Sequence, residues 1–256
     1  MEKRVAFVTG SAGGIGAAIA RRLAEDDMAV ALVDLPSLRL SQVAEVLTDK
    51  GMVVCTVPAD VSDRAQVRAA VADAERRLGP IDALVNAAGV LRLGKVGELT
   101  DDDWAATFAV NAYGVFCTSQ AVVERMAPRG RGAVVTVASN AAGTPRMSMA
   151  AYCASKSAAT MFTKVLGLEM AEHGIRCNVV APGSTDTPML RSMWSGGSGP
   201  ETALAGSPEA YKVGIPLRKL ASAEDIADAV AFLLSDAAGH ITMHSLTVDG
   251  GAALGA

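Results

Sequence analysis

Three side chains that could exchange protons lie close together between Ser139 and Lys156. Tyr152 and Lys156 are four residues apart in a run without Pro or Gly from Ala150 to Leu166, so both should project from one helix face. An adjacent ammonium stabilises a phenolate and so lowers the pKa of the phenol. Ser139 ends the apolar segment AVVTVAS, which predicts a hydroxyl at the carboxyl edge of a parallel sheet, where such sheets bind ligands. The pattern indicates proton transfer to or from an alcohol, although a Tyr and a Lys at this spacing also occur on ordinary helix faces.

A glycine-rich turn near the N-terminus indicates a nucleotide site. The apolar strand predicted from Val5 to Val8 runs into the sequence TGSAGGIG and then into an Ala-rich helix. The spacing differs from GxGxxG, but the physical demands are the same: a tight turn, close approach of the backbone to a pyrophosphate, and a helix N-terminus facing the anion. The predicted contacts in this turn are Gly10, Ser11, Gly14, Ile15 and Gly16.

A second apolar strand, from Ala29 to Val33, ends at Asp34. A carboxylate at this position can accept hydrogen bonds from ribose hydroxyls, and it would repel an adenosine 2′-phosphate. No Lys or Arg lies between Gly10 and Gly16 to pair with such a phosphate. We therefore predict NAD rather than NADP as the cofactor. The alternative is that Asp34 is a turn residue before a proline.

Composition restricts the class of protein. The chain has 256 residues, half of them hydrophobic, and repeated strand and helix units without a linker, which suits one α/β domain over residues 1–256. A net charge of −4 with scattered basic residues argues against nucleic acid as the main partner and favours a small molecule. The N-terminal apolar run is four residues long and no run reaches membrane-spanning length, so we predict no membrane partner and a cytoplasmic location.

Cysteine and histidine spacing predicts no metal site. The four cysteines form no CxxC or Cys/His ligand pattern, and the three histidines lack ligand spacing. Reduced cytosolic thiols and structural or surface histidines are expected. These residues are Cys55, Cys117, Cys153, Cys177, His173, His240 and His244.

The remaining pattern alternates strands and helices, which predicts seven parallel strands with right-handed crossovers in a Rossmann-type doubly wound sheet with helices on both faces. Further strands are predicted over 53–57, 83–85, 133–138, 177–181 and 245–248, and helices over 38–49, 63–78, from Thr100 through Asn111, and from Ser222 to Leu234. The Gly-, Ser-, Pro- and Met-rich segment 184–222 is predicted to be a substrate lid, although plain disorder would have the same composition.

Two polar residues have open roles. Asp60 could reach the adenine edge or cap the helix that follows it. Asn111 lies in the otherwise apolar segment AATFAVNAYGVF, so its amide needs buried partners; it could hold a water or kink the helix for a proton relay, or simply bridge structural elements.

These residues together resemble the short-chain dehydrogenase/reductase family along nearly the whole chain. The resemblance rests on TGSAGGIG, NAAG, Asn111, Ser139, Tyr152, Lys156 and the Pro182–Gly183 turn. It implies that Tyr152 is the general base, that Lys156 lowers the phenol pKa and holds the nicotinamide ribose, that Ser139 orients the alcohol, and that Asn111 anchors a water. It also implies a homotetramer and a set of further cofactor contacts. These are Asp60, Val61, Asn86, Ala87, Gly89, Tyr152, Lys156, Pro182, Gly183 and Thr185.

A narrower resemblance concerns members of that family that act on a cyclohexadiene diol acid. The segments IDALVNAAGVLRLG, VTVASNAAGTPRMSMAAY, RCNVVAPGSTDTPM, KVGIPL and HITMHSLTVDGGAALGA carry it. It implies NAD-dependent oxidation of 2,3-dihydro-2,3-dihydroxybenzoate to 2,3-dihydroxybenzoate, a building block of catecholate siderophores. The small cyclic carboxylic acid would need a cation, and Arg146 is the first candidate and Arg92 the second. Solvation at the surface is the alternative for both arginines. The methionines at 147, 149, 189 and 193 could pack on the flat ring of the substrate or simply fill space in the core.

Three other functions are compatible with parts of the pattern. An enzyme for the amino analogue, 2,3-dihydro-3-hydroxyanthranilate, would need the same machinery. A 3-oxoacyl or sugar reductase using NADPH would favour a basic residue in the Gly-rich turn or after the second strand, and Asp34 argues against this function. A non-catalytic NAD sensor would lack Ser139, Tyr152 or Lys156, and all three are present.

Overall fold

The structure is a computed structural model that describes residues 3–194 and 199–255. Seven parallel strands form its main sheet in the order β3-β2-β1-β4-β5-β6-β9. The strands are β1 (Val5–Thr9), β2 (Ala29–Asp34), β3 (Val54–Pro58), β4 (Ile81–Asn86), β5 (Gly132–Val137), β6 (Ile175–Pro182) and β9 (Ser245–Val248). Two short strands, β7 (Gly206–Ser207) and β8 (Lys212–Val213), pair separately as an antiparallel hairpin. The main sheet confirms the predicted Rossmann-type doubly wound fold, with strand ends shifted by one or two residues.

Helices cover both faces of the sheet, so central strands such as β1 are buried on both sides. They are α1 (Gly14–Glu25), α2 (Leu38–Asp49), α3 (Arg64–Leu78), α4 (Asp101–Phe108), α5 (Val115–Met126), α6 (Ala150–Met170), α7 (Pro188–Arg191), α8 (Pro200–Ala205) and α9 (Ala223–Leu234). One core packs Ile19 of α1, Leu40 of α2 and Val230 of α9 against the sheet. The opposite core contains Val71 of α3, Val122 of α5 and Leu166 of α6.

The helix predicted through Asn111 is not a single α-helix. After α4 the chain continues as a π-helical turn over Ala109–Gly114 before α5 begins. A π-turn widens the backbone by one residue and is frequent at functional sites. The turn places Asn111 in the interior, fully buried.

Helix capping corrects one of the two roles considered for Asp60. The cap of α3 is Asp63, whose carboxylate accepts from the backbone N–H of Ala65 and Gln66. Asp60 Oδ1 instead accepts from the backbone N–H and the hydroxyl of Ser62. Asp60 is therefore not the cap and remains available to the cleft.

The segment 184–222 contains α7, α8 and the β7–β8 hairpin in its described parts, so it is not without regular structure. Residues 195–198, within the predicted lid, lie outside the described residues. No helix in the described ranges is long and apolar enough to cross a membrane.

Candidate active site

A cleft opens at the carboxyl ends of β1 and β4, where the strand order reverses. Sheets of this kind bind ligands at such a switch point. The cleft consists of a nucleotide-side cavity of about 400 Å³ and a second cavity of about 280 Å³ that contains the predicted proton-transfer residues. Ile15, Ala87, Gly89, Thr187 and Met189 line both cavities, so the two adjoin.

Two glycines of the nucleotide turn are required by close backbone packing. Gly10 has a φ of +74°, and a Cβ there would lie 2.7 Å from the amide nitrogen of Ala88. A Cβ on Gly16 would collide with the carbonyl oxygen of Gly10. The turn therefore brings the bare N-terminus of α1 to the cavity, an arrangement that suits a pyrophosphate. Four of the residues predicted in this turn line the cavity: Gly10, Gly14, Ile15 and Gly16.

Asp34, the last residue of β2, lines the nucleotide-side cavity. Its Oδ2 accepts from Ala12 N at 2.9 Å and its Oδ1 from Leu35 N at 2.8 Å. Asp60 and Val61 line the same cavity. Arg39, near the start of α2, also lines it. The sequence did not predict this residue, because the direction of its side chain, five residues beyond Asp34, depends on the folded helix. Both charges bear on the choice between NAD and NADP.

Two residues predicted as cofactor contacts, Ser11 and Asn86, do not line either cavity. The Ser11 hydroxyl is fully buried, donates to Val8 O and accepts from Val33 N. Asn86 is 2% exposed, and its amide donates to Ser119 and Thr136. Both side chains therefore tie strands and helices together behind the cleft. Ala87 and Gly89, the other residues predicted from that loop, line both cavities.

Tyr152 and Lys156 both line the second cavity, from the first two turns of α6. Lys156 Nζ lies 5.7 Å from the centre of the Tyr152 ring and donates to Val137 O, at the end of β5, at 2.9 Å. A Cβ on Gly89 would approach Lys156 Nζ to 3.4 Å. The ammonium is thus fixed between a strand end and the loop that follows β4.

Burial acts on the pKa of both groups. It raises the pKa of the Tyr152 phenol, while the neighbouring Ser139 hydroxyl lowers it in part. Burial also lowers the pKa of the Lys156 ammonium to about 8. The prediction that the phenol pKa is lowered is therefore wrong for the protein alone, because desolvation of the phenolate is the largest influence. At pH 7 the Tyr152 phenol keeps its proton, and the Lys156 side chain is mostly in its charged form.

Ser139 lies two residues beyond β5 and lines the same cavity. It is 9% exposed, and its Oγ accepts from Ala141 N at 3.1 Å, capping a short 3₁₀ turn. The hydroxyl hydrogen stays available for a ligand oxygen or the Tyr152 phenol. Pro182, which ends β6, and the following Gly183 and Thr185 also line this cavity.

Asn111 has its amide engaged by protein groups. Its Oδ1 accepts from Val90 N, and its Nδ2 donates to Val90 O and to Ser155 Oγ, at 2.9, 2.9 and 3.1 Å. Both amide hydrogens are therefore used, and only the second lone pair of Oδ1 could take a water. The structure places Asn111 as a bridge between the π-turn, the loop after β4 and α6.

The candidate substrate residues are placed differently. Arg146 lines the second cavity, and so do the four methionines 147, 149, 189 and 193. Arg92 does not line it; its Nε lies 3.9 Å from Asp103 Oδ1 on the exposed surface. Lys212 of the hairpin lines the cavity as well, and the sequence reasoning missed it because a two-residue strand in a Gly- and Pro-rich segment has no readable periodicity.

Metal chemistry has no candidate ligand set here. The described ranges contain no group of three or more His, Cys, Asp or Glu side chains placed to hold a metal ion. The cysteines at 55, 117 and 177 are buried, and Cys153 is partly buried; none forms a disulfide.

Comparisons with known proteins agree with this geometry. A family model described as short chain dehydrogenase matches residues 4–197. A protein of Bacillus subtilis (strain 168) named 2,3-dihydro-2,3-dihydroxybenzoate dehydrogenase is 54% identical over 255 residues, which is 100% of this chain and 98% of that protein. The protein of the same name from Escherichia coli (strain K12) is 43% identical, over 98% of this chain and 97% of its own. A solved gluconate 5-dehydrogenase from Burkholderia cenocepacia J2315, in complex with NADP and tartrate, has a TM-score of 0.90 at 33% identity, over 100% of this chain and 97% of its own.

Proposed function

The chain belongs to the short-chain dehydrogenase family, and we propose that it oxidises 2,3-dihydro-2,3-dihydroxybenzoate to 2,3-dihydroxybenzoate with NAD, a reaction that supplies catecholate siderophores. The observation that supports this most directly is the 54% identity, over the full chain, to a relative named for that substrate. A cavity of about 280 Å³ containing Tyr152, Lys156 and Arg146 suits a small cyclic acid.

The residues at the nucleotide end fit a dinucleotide. The Gly10–Gly16 turn and the first turn of α1 would hold the pyrophosphate, because a Cβ at either glycine is excluded by backbone. Asp34 would hold the adenosine ribose, and Asp60 and Val61 would lie at the adenine. NAD, when bound, supplies the hydride acceptor. Ala87, Gly89, Pro182, Gly183 and Thr185 are the remaining contacts in this proposal.

Tyr152 acts as the general base in this mechanism. Its phenolate takes the proton from the ring hydroxyl at C3 as the hydride leaves C3. Ser139 donates to the oxygen that becomes a carbonyl. The resulting ketone then tautomerises: C2 loses a proton and the C3 oxygen gains one, which gives the aromatic catechol. Aromatisation makes the overall oxidation favourable.

Lys156 and Asn111 complete the proton-transfer site. The Lys156 ammonium, held by Val137 O, favours the phenolate and would also hold the nicotinamide ribose. Asn111 fixes the loop after β4 against α6 through Val90 and Ser155. A water on its remaining lone pair is our proposed exit for the proton.

Three wider properties are part of this proposal. Segment 184–222 is the substrate lid, supported by Thr187, Met189, Met193 and Lys212, which all line the cavity from it. A homotetramer is supported by exposed apolar side chains at Trp104, Tyr113, Met161, Val165 and Leu168 on the helices around Asn111 and on α6. A cytoplasmic location is the third property, supported by widely spaced cysteines that form no CxxC pattern.

A parallel substrate assay tests the function. We expect NADH formation with 2,3-dihydro-2,3-dihydroxybenzoate, at a kcat/KM at least about tenfold above that with 2,3-dihydro-3-hydroxyanthranilate, because each tenfold preference needs only about 1.4 kcal/mol of differential binding. A 3-hydroxyacyl thioester is the control for a general reductase. If neither cyclic acid is oxidised, the assigned reaction is refuted. If 2,3-dihydro-3-hydroxyanthranilate is the preferred substrate, oxidation of that amino analogue replaces the assigned reaction.

The Ser139 hydroxyl should be visible in the pH dependence of the reaction. Activity rises with pH as the Tyr152 phenol loses its proton, so a higher phenol pKa moves the rising limb to higher pH. Since Ser139 lowers that pKa, Ser139→Ala should shift the rising limb of kcat/KM upward in pH, and Ser139→Thr should shift it less. An unchanged limb in Ser139→Ala would show that the hydroxyl does not act on the phenol.

A further inference from the structure

Lys212 faces the substrate cavity because of the geometry of its hairpin. Strand β8 pairs with β7 so that Lys212 lies opposite Ser207 and Val213 opposite Gly206. Successive side chains on a strand point to opposite sides. Tyr211 is 91% exposed and Val213 is 45% exposed, whereas Lys212 between them is partly buried and lines the cavity.

The cavity is positively charged. Among its described lining residues, the ionisable side chains that carry charge at neutral pH are Arg146, Lys156 and Lys212, and none is Asp or Glu. Placing cations together in a partly buried site costs free energy unless an anion joins them. Burial lowers the pKa of Lys212, and the nearby Arg146 lowers it further, so these two cations are close enough to interact.

Within the described residues, two of the three cations have no hydrogen-bonding or ion-pairing partner. The side chains of Arg146 and Lys212 make no hydrogen bond or ion pair within 3–194 and 199–255, whereas Lys156 donates to Val137 O. Lys156 also lies beside the Tyr152 ring. Arg146 and Lys212 are therefore the pair left for a ligand, from two segments that lie 66 positions apart (212 minus 146).

We propose that Lys212 is a specificity-determining residue that binds the substrate carboxylate together with Arg146. Arg146 offers a planar pair of N–H donors and Lys212 a point charge, which together suit one carboxylate. The inference rests on the proposed function, since it names the acid group of that substrate as the recognised feature. Because Arg146 precedes α6 and Lys212 is in the lid segment, the bound carboxylate also joins the lid hairpin to the catalytic helix.

Ligand binding without turnover tests this proposal. The probes are 2,3-dihydroxybenzoate and catechol, which differ in the carboxylate, titrated into the full chain with NADH. We expect the unmodified protein to bind the acid at least about tenfold more tightly than catechol. Lys212→Met should weaken binding of 2,3-dihydroxybenzoate by roughly 10- to 100-fold, the range of a charge-assisted hydrogen bond. It should change the affinity for catechol by less than about twofold. Lys212→Arg should retain most of the affinity.

Lys219→Met is the matched control, since Lys219 is exposed in the same segment and does not line the cavity. It should bind both probes as the unmodified protein does. NADH affinity, which does not involve Lys212, shows whether each variant is folded. If Lys212→Met does not fold, Lys212→Gln should show the same selective loss of affinity for 2,3-dihydroxybenzoate. The unmodified protein should in any case bind this acid more tightly than catechol.

The outcomes separate this proposal from the assignment of the reaction. If Lys212→Met weakens binding of 2,3-dihydroxybenzoate and of catechol equally, or does not weaken binding of the acid, Lys212 does not bind the carboxylate. This holds even if the dihydrodiol acid is oxidised. Lys212-dependent binding of the acid without oxidation of the dihydrodiol acid would uphold the carboxylate site and refute the proposed reaction.

Discussion

Replacing Tyr152 with Phe should lower kcat for oxidation of 2,3-dihydro-2,3-dihydroxybenzoate by about 10³-fold or more, toward the upper end of what a positioned general base contributes. The substitution removes one oxygen and leaves the ring in place on α6. Among the described lining residues the other ionisable side chains are Arg146, Lys156 and Lys212, and none of them supplies an anionic base. Steady-state NADH formation measures the loss.

Binding measurements distinguish a chemical defect from a structural one. NAD affinity of Tyr152→Phe should stay within about threefold of the unmodified value, because Tyr152 does not line the nucleotide-side cavity. Tyr113→Phe makes the same deletion at an exposed tyrosine outside both cavities and should keep full activity. Substantial residual oxidation by Tyr152→Phe would show that another group takes the proton.

The state of the phenol before catalysis is set by burial more than by its charged neighbour. In the protein alone, burial raises the phenol pKa, and Lys156 directs its ammonium at Val137 O rather than at the phenol oxygen. Ser139 is the one neighbour identified as lowering the phenol pKa. Lys156 keeps most of its own charge only below its pKa of about 8, so its ammonium can favour the phenolate mainly in that range.

The sheet could be predicted from the sequence because its strands are short apolar runs that end in polar or small residues. Val5–Thr9 and Ala29–Asp34 are buried along nearly their whole length, as parallel strands between two helical layers must be. The π-turn at Ala109–Gly114 could not be predicted. It depends on hydrogen bonds from Asn111 to Val90 and Ser155, which are distant in sequence.

The candidate site shows the same division between local and distant information. Tyr152 and Lys156 share one helix, so their spacing alone places them together. Ser11 and Asn86 follow strands just as cofactor contacts do, but their side chains turn inward to satisfy buried groups. Their direction depends on neighbouring strands and helices and cannot be read from a single segment. Lys212 is the converse case, since only the folded hairpin turns it toward the cavity.

Substituting Asp34 with Ala should change cofactor preference by about 100-fold in favour of NADP. In the proposed function the Asp34 carboxylate accepts charge-assisted hydrogen bonds from the ribose, so its loss should lower kcat/KM for NAD by about tenfold. Removing its repulsion of a 2′-phosphate should raise kcat/KM for NADP by a similar factor. Arg39 lines the same cavity as Asp34 and becomes the phosphate partner once Asp34 no longer opposes the phosphate.

Three further variants separate the causes of that change. Asp34→Asn keeps one oxygen, which can accept from one of the two backbone N–H groups of Ala12 and Leu35. It also removes the charge, so it should reproduce most of the gain with NADP. Arg39→Ala in the Asp34→Ala background should cancel the gain, because the phosphate then has no cation. Arg39→Ala alone should leave kcat/KM for NAD within about threefold. If Asp34→Ala keeps the original ratio of NAD to NADP activity, Asp34 does not select the cofactor, and the ribose contact assigned to it fails.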